Sequence, residues 1–360
     1  GGGSINGGAV FSGAGHLVIP LGSGCSLNSA DIGVDIINNG FLQTTSGTSH
    51  VLSISGTGTT SVSFGTTLNV GSNGPVTQAN FNVNGVADVG SVTVSGITTV
   101  GTFTSNLVAG NIRSNQLSIG QGGVAKIKAN GTSTGTSRIN VLTIAGGLTP
   151  FGKLDLDDND LVIDYTGATV MGSIRLFLRS GFNGGNWNGT GLASTAGNHD
   201  STHHTALGSA EASSLLGVGG GTFSGQSVDG TAILIKYTYY GDSDLDGDAD
   251  GVDIGTWATN FTGELGGTGS KLWTDGDWDY DGDVDGVDAG LWAQAFTGEL
   301  GGAGLGSIVI DAPISSGAAA VLRGMGITVV PEAACLQALG LALTGAGLAQ
   351  RVRWRRWCGR

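Results

Sequence analysis

The stretch GDSDLDGDADGVD, residues 241–253, places six aspartates within thirteen residues, and GDWDYDGDVDGVD, residues 276–288, does so again. Like charges this dense repel one another, so the segments are either solvated acidic loops or seats for a cation. Counted from Asp242, the acids fall at positions 1, 3, 5, 7, 9 and 12: Asp242, Asp244, Asp246, Asp248, Asp250 and Asp253, with Gly247 at position 6. Counted from Asp277, the same positions hold Asp277, Asp279, Asp281, Asp283, Asp285 and Asp288, with Gly282 at position 6. A twelve-residue calcium loop presents oxygens at those positions, the seventh through its backbone carbonyl, and needs glycine at the sixth for the sharp turn. The spacing therefore predicts two Ca2+ ions. Asp248 and Asp283 are expected to give carbonyls and turn their side chains outward, while Asp253 and Asp288 close each shell.

Each loop runs into a short helical pattern. Ile254, Trp257, Ala258 and Phe261 recur at i, i+3, i+4 and i+7, and Ala289, Trp292, Ala293 and Phe296 repeat those offsets, giving one apolar stripe per helix. The two stripes are expected to pack together, with Trp257 and Trp292 in the core. FTGELGG then recurs at 261 and 296, so the duplication extends past the helices. With these features, residues 241–300 resemble a type I dockerin: two calcium loops, each followed by one helix, with no helix entering the loop. The resemblance implies that all twelve aspartates serve calcium. It also implies a cohesin-like or cell-surface partner, as dockerins attach polysaccharide-degrading enzymes to scaffolds. In that family positions 10 and 11, commonly Ser or Thr, help recognise cohesin; here they are Gly251–Val252 and Gly286–Val287.

The scaffold ahead of the loops reads as β structure. Val92 and Val94, Leu117 and Ile119, Leu142 and Ile144, and Leu154 and Leu156 alternate between Gly, Ser and Asn turn signals. Regular short strands with no helical pattern between them predict a mainly β body over 1–165, a right-handed parallel β-helix or solenoid, with a β-sandwich as the alternative. Residues 166–240 are expected to form a β connecting and capping module. SIRLFLRSGF reads there as one strand, and GTAILIKYTYY as a strong strand leading into the first acidic loop. Residues 301–330 read as a linker with a little strand character.

Composition narrows the function. Net charge is −13, yet residues 1–150 hold only Asp31, Asp35 and Asp88 as acids, and 242–299 hold fifteen against the single Lys271. No basic face exists to neutralise phosphates, which excludes nucleic acid as a partner. Cys25, Cys335 and Cys358 form neither a disulfide framework nor a metal-ligand spacing. The sequence opens at Gly1 without methionine or signal peptide, and is read as the C-terminal part of a longer or processed chain.

At the far end, Pro331–Glu332 precedes an apolar run from Ala333 to Ala349 and a tail carrying Arg351, Arg353, Arg355 and Arg356. Seventeen residues of helix span about 26 Å, enough for a short transmembrane helix, and the arginines mark its cytoplasmic side. Residues 331–360 resemble the PEP-CTERM sorting signal cleaved by an exosortase, with Pro-Glu-Ala in place of Pro-Glu-Pro. Together with the dockerin-like loops this resembles exported proteins of planctomycetes, and implies export to the cell surface with transient membrane anchoring.

No catalytic residues are assigned. His199, Asp200, His203 and His204 are suitable transition-metal ligands, but they sit in a Ser/Thr/Gly loop without a rigid frame and are expected to be solvated. Glycosidases need two carboxylates flanking one bond, and Asp31, Asp35 and Asp88 are scattered. The expected function is that of an exported structural or adhesive protein, with polysaccharide as a candidate partner. The alternative is a polysaccharide-degrading enzyme or accessory, with its catalytic part upstream or in the β-helix.

Overall fold

The computed structural model describes residues 2–7, 10–71, 73–263, 269–298, 309–310 and 314–329. The N-terminal body is a parallel β-solenoid of about six turns, not a sandwich. Three ladders of parallel strands form its walls. One passes through Gly24–Asn28, Phe41–Ser46, Thr59–Val62 and Asn80–Val83. A second stacks Thr48–Val51, Thr67–Val70, Val86–Asp88, Asn106–Ala109 and Val124–Ile127. The third stacks Ile54–Ser55, Pro75–Gln78 and the first halves of Ser91–Val100 and Asn111–Ile119.

Register converts the period-two pattern into a core. Leu27, Thr44, Val62, Val83, Val100, Ile119 and Ile144 lie opposite one another along the first wall, all buried. Leu68, Ala87, Leu107, Ala125, Leu154 and Leu192 do the same along the second. Each inward residue thus packs on its counterpart one rung away, at the usual strand spacing of about 4.8 Å.

The end nearest the acidic loops is capped. Leu161–Asp164 pairs antiparallel with Ala232–Tyr239, which pairs antiparallel with Thr205–Glu211, so the third wall stops adding parallel rungs. Such caps cover an edge that would otherwise template further pairing. GTAILIKYTYY is the strand expected of it. SIRLFLRSGF is not: Met171–Phe182 is an α-helix, burying Met171, Ile174, Phe177, Leu178, Gly181 and Phe182. Those positions follow the helical period, and the helix ends at Asn183 in a left-handed conformation. This cap helix lies directly on the strand Gly191–Ala193, and a Cβ on Gly181 would sit 1.6 Å from the Leu192 carbonyl oxygen. Gly181→Ala is therefore expected to destabilise the chain by about 2–3 kcal/mol through overpacking, against helix propensity that favours alanine. Chemical denaturation of the two chains checks this, and an equally stable variant would refute the close approach.

Beyond the loops, the region read as a linker contains a helix, Ser316–Gly324, started by Ser315, whose hydroxyl accepts from the Ala318 amide. It buries Ala318, Ala319 and Leu322. Its small-residue composition imitates a linker, and burial of one face makes it a helix. Among the described residues no helix is long and apolar enough to cross a membrane; the apolar run and arginine tail of 331–360 lie outside them.

Candidate metal centre

The two acidic segments fold into near-identical loops. Gly247 and Gly282 have φ of 109° and 100°, the left-handed backbone that position 6 requires and that glycine adopts without a Cβ clash. In the first loop, the Asp246 and Gly247 amides donate to Asp242 at 3.0 Å each, and the Asp248 amide donates to Asp246 at 3.1 Å. In the second, the Asp281 amide donates to Asp279 and that of Asp283 to Asp281, both at 3.0 Å. Backbone donors thus curl each loop around its own carboxylates.

Asp253 and Asp288 close the loops. Asp253 accepts from the amides of Ser243 and Asp250 at 2.8 Å each, and Asp288 from those of Trp278 and Asp285 at 2.7 and 2.9 Å. Both are also the third residue of a helix, Gly251–Asn260 and Gly286–Ala295, capped by Asp250 and Asp285 in reciprocal capping boxes. One carboxylate per loop therefore joins its beginning to the helix that follows.

The twelve acids gather into four trios whose oxygens lie within 4.8 Å of one another: Asp242, Asp244 and Asp246; Asp248, Asp250 and Asp253; Asp277, Asp279 and Asp281; Asp283, Asp285 and Asp288. Asp248 and Asp283 differ from expectation. Their side chains turn toward the position 9 and 12 acids instead of outward. Burial pushes Asp253, Asp277 and Asp288 up to about 8 and Asp242 and Asp279 up to about 6, and neighbouring aspartates add to the rise. Asp277, 1% exposed, meets the Gly282 amide without a well-aligned bond through either oxygen. A hard divalent cation fits this donor set: oxygen ligands only, crowded and partly desolvated, with far more acids than cations around them.

The two halves hold each other in place. Trp257 donates its indole N–H to the Asp285 carbonyl at 2.8 Å, and Trp292 donates to the Asp250 carbonyl at 3.0 Å. Thr262 pairs with Val284, and Thr297 with Ala249, so each half's trailing segment braces the other's loop. Both tryptophans are buried, as their helical spacing predicted.

The module rests on the solenoid cap through aromatic rings. Tyr280 lies 5.3 Å from Phe182, 5.8 Å from Trp187 and 5.5 Å from Trp273, between ring centroids. Its hydroxyl donates to the Leu207 carbonyl at 2.8 Å, and Trp273 donates to the Asp242 carbonyl. Gly208 keeps the strand beneath flat: a Cβ there would meet Leu245 Cδ2 at 2.5 Å and Trp273 Nε1 at 2.8 Å. This seam was not foreseen from the sequence; its signal was an aromatic at position 4 of the second loop.

The remaining candidates separate. Asp200 spends both oxygens on its own turn, accepting from Thr202 N at 2.9 Å, His204 N at 2.8 Å and Thr205 N at 3.0 Å. Burial opposes ionisation there, but these bonds hold its carboxyl below the usual range. Among the described residues His199, His203 and His204 belong to no group of three or more metal-ligating side chains. Asp31 and Asp88 occupy one row of the second wall, with His50 and Asn69 between them. Three rungs separate the two, about 14 Å at the usual strand spacing. Asp35 lies on the third wall and accepts from Ser53 at 2.6 Å. Compared with known proteins, the chain matches no family model, no curated protein and no solved structure.

Proposed function

We propose that this chain is an exported, surface-associated structural or adhesive protein, in which the β-solenoid gives reach and a dockerin-like module binds two calcium ions and attaches it. The observation that carries this reading is the convergence of twelve loop aspartates into four trios with oxygens within 4.8 Å. Asp242, Asp244, Asp246, Asp248, Asp250 and Asp253 would hold one ion, and Asp277, Asp279, Asp281, Asp283, Asp285 and Asp288 the other. Calcium would supply charge neutralisation, not reaction chemistry. Each loop would then become a rigid lead into its helix, because the capping aspartates and the ligands share the same backbone.

A partner would meet the first turns of those helices. Val252 and Val287 stand there at equivalent positions, 63% and 56% exposed, and offer it apolar contact. Extracellular calcium modules work at about 10⁻⁴–10⁻³ M, a concentration found outside cells, which is consistent with export. The C-terminal sorting signal rests on the motif in residues 331–360.

The test is retention of the full chain on isolated cell envelopes. Calcium should keep it bound, EDTA should release it, and the double variant Asp246→Ala/Asp281→Ala should fail to bind. Equal retention in EDTA and calcium would count against attachment through this module.

A further inference from the structure

At its position 6 glycine, each acidic loop is approached by one cation from the solenoid cap. In the first loop, Lys236 of the strand Ala232–Tyr239 donates to the Leu245 carbonyl at 2.6 Å, and its Nζ lies 3.2 Å from where a Cβ on Gly247 would be. Beside the second, Arg175 of the cap helix donates through Nη2 at 2.7 Å to the carbonyl of Gly269, which lies ahead of the loop. Its Nη1 stands 2.4 Å from where a Cβ on Gly282 would be, and 3.9 Å from Asp277 Oδ2. Gly247 and Gly282 are both position 6, so two unrelated elements of the cap deliver positive charge to equivalent points of the duplicated loops. Arg179, one turn along the cap helix, adds a contact from Nη1 to the Asp281 carbonyl at 3.3 Å.

The two cations are not equally committed. Lys236 has a short bond to a carbonyl. Arg175 Nη1 is buried without a hydrogen-bond partner, facing a carboxylate that makes no good hydrogen bond of its own. A buried guanidinium N–H and a buried carboxylate held just beyond bonding distance keep a strong mutual field, because little water screens them. Any divalent ion that joins Asp277 must enter that field.

We propose that Lys236 and Arg175 are built-in counter-cations, one for each loop, which hold the acidic module on the solenoid cap without metal and set how tightly each loop takes calcium. The proposal rests on the calcium reading above and adds a regulation to it: the solenoid cap tunes the sites, and the second site, opposed by Arg175 and Arg179, is the weaker. Both are positioning residues, since neither can ligate a cation. Removing the charge lowers the repulsion met by the ion and at the same time leaves the empty loop more crowded with negative charge. Both effects favour binding.

Calcium titration calorimetry on the full chain tests this. Arg175→Gln should tighten the second site at least about tenfold and leave the first unchanged, as expected for a unit charge a few ångströms from a divalent ion. Arg175→Lys, which keeps the charge, should stay near the parent affinity. On an Asp281→Ala background, where the second site is lost, Arg175→Gln should change nothing and Lys236→Gln should tighten the remaining site. In EDTA, Arg175→Gln should melt below the parent, so that its calcium-induced rise in Tm is the larger. Unchanged or weaker calcium binding by Arg175→Gln, with two sites still measured in the parent, would overturn the counter-cation role alone. No binding by the parent would instead overturn the calcium reading, and this proposal with it.

Discussion

Calcium is expected to stabilise the full chain by about 5 kcal/mol, since each of two sites at one hundred times its Kd adds about 2.7 kcal/mol. The reason lies in the crowding of the loops, where twelve aspartates share four trios and the nearby positive groups are those of the cap. Burial pushes Asp253, Asp277 and Asp288 up to about 8, so without metal these carboxyls give up their protons less readily than ordinary ones. Their folded pKa lies above the unfolded value, so in EDTA they favour the folded state at acid pH. That contribution is lost as pH rises from about 4 toward 8. Calcium requires the ionised form, so its stabilising effect should grow over the upper part of the same range. Calorimetry in EDTA and in calcium, at pH 6 and pH 8, should show the larger calcium-induced rise in Tm at pH 8. Asp246→Ala should bind one ion and lose about half the gain. Identical melting with and without calcium at both pH values would refute metal binding by these loops.

Truncation of Tyr280 should have the next largest effect. The ring is 1% exposed and touches Phe182, Trp187 and Trp273, two of them on the cap side of the seam and one within the module. Tyr280→Ala removes these contacts and leaves a cavity that backbone packing on both sides keeps from closing, a loss of about 3–5 kcal/mol. Tyr280→Phe keeps the ring and strands only the Leu207 carbonyl, which costs about 1 kcal/mol. Denaturant unfolding measures both, and limited proteolysis between cap and module should report faster cleavage in the alanine variant. Calcium stoichiometry should stay at two, because position 4 supplies no ligand side chain. Parent-like stability in Tyr280→Ala would mean that the seam contributes little.

Features confined to a dozen residues were legible in the sequence. The aspartate spacing, the position 6 glycines and the helix-starting carboxylates act on neighbours a few residues away, so their geometry follows from backbone curvature and needs no distant partner. Strand alternation was legible for a related reason: one buried face imposes period two whatever covers it. The rung length was not. Asp31, His50, Asn69 and Asp88 advance by nineteen residues per rung, but Ile54, Val76, Val92 and Ile112 advance by twenty-two, sixteen and twenty. Corners absorb extra residues without disturbing register, which blurs any repeat read along the chain.

The β character of the body, the paired acidic loops and the two buried tryptophans are thus all written in local pattern. Other features depend on contacts between distant segments. Ile174, Leu176 and Leu178 alternate as a strand would, while Ile174, Phe177 and Leu178 follow a helix, and only docking on Gly191–Ala193 selects the helix. Asp248 and Asp283 bring a carboxylate oxygen within 4.8 Å of the position 9 and 12 acids, a closeness that the folded loop sets and that spacing alone does not show. The meeting of Arg175 with Gly282, and of Tyr280 with Leu207, joins residues far apart in the chain. No local pattern encodes such contacts, since they exist only once the cap has folded and presents a charge and a flat strand to the loops.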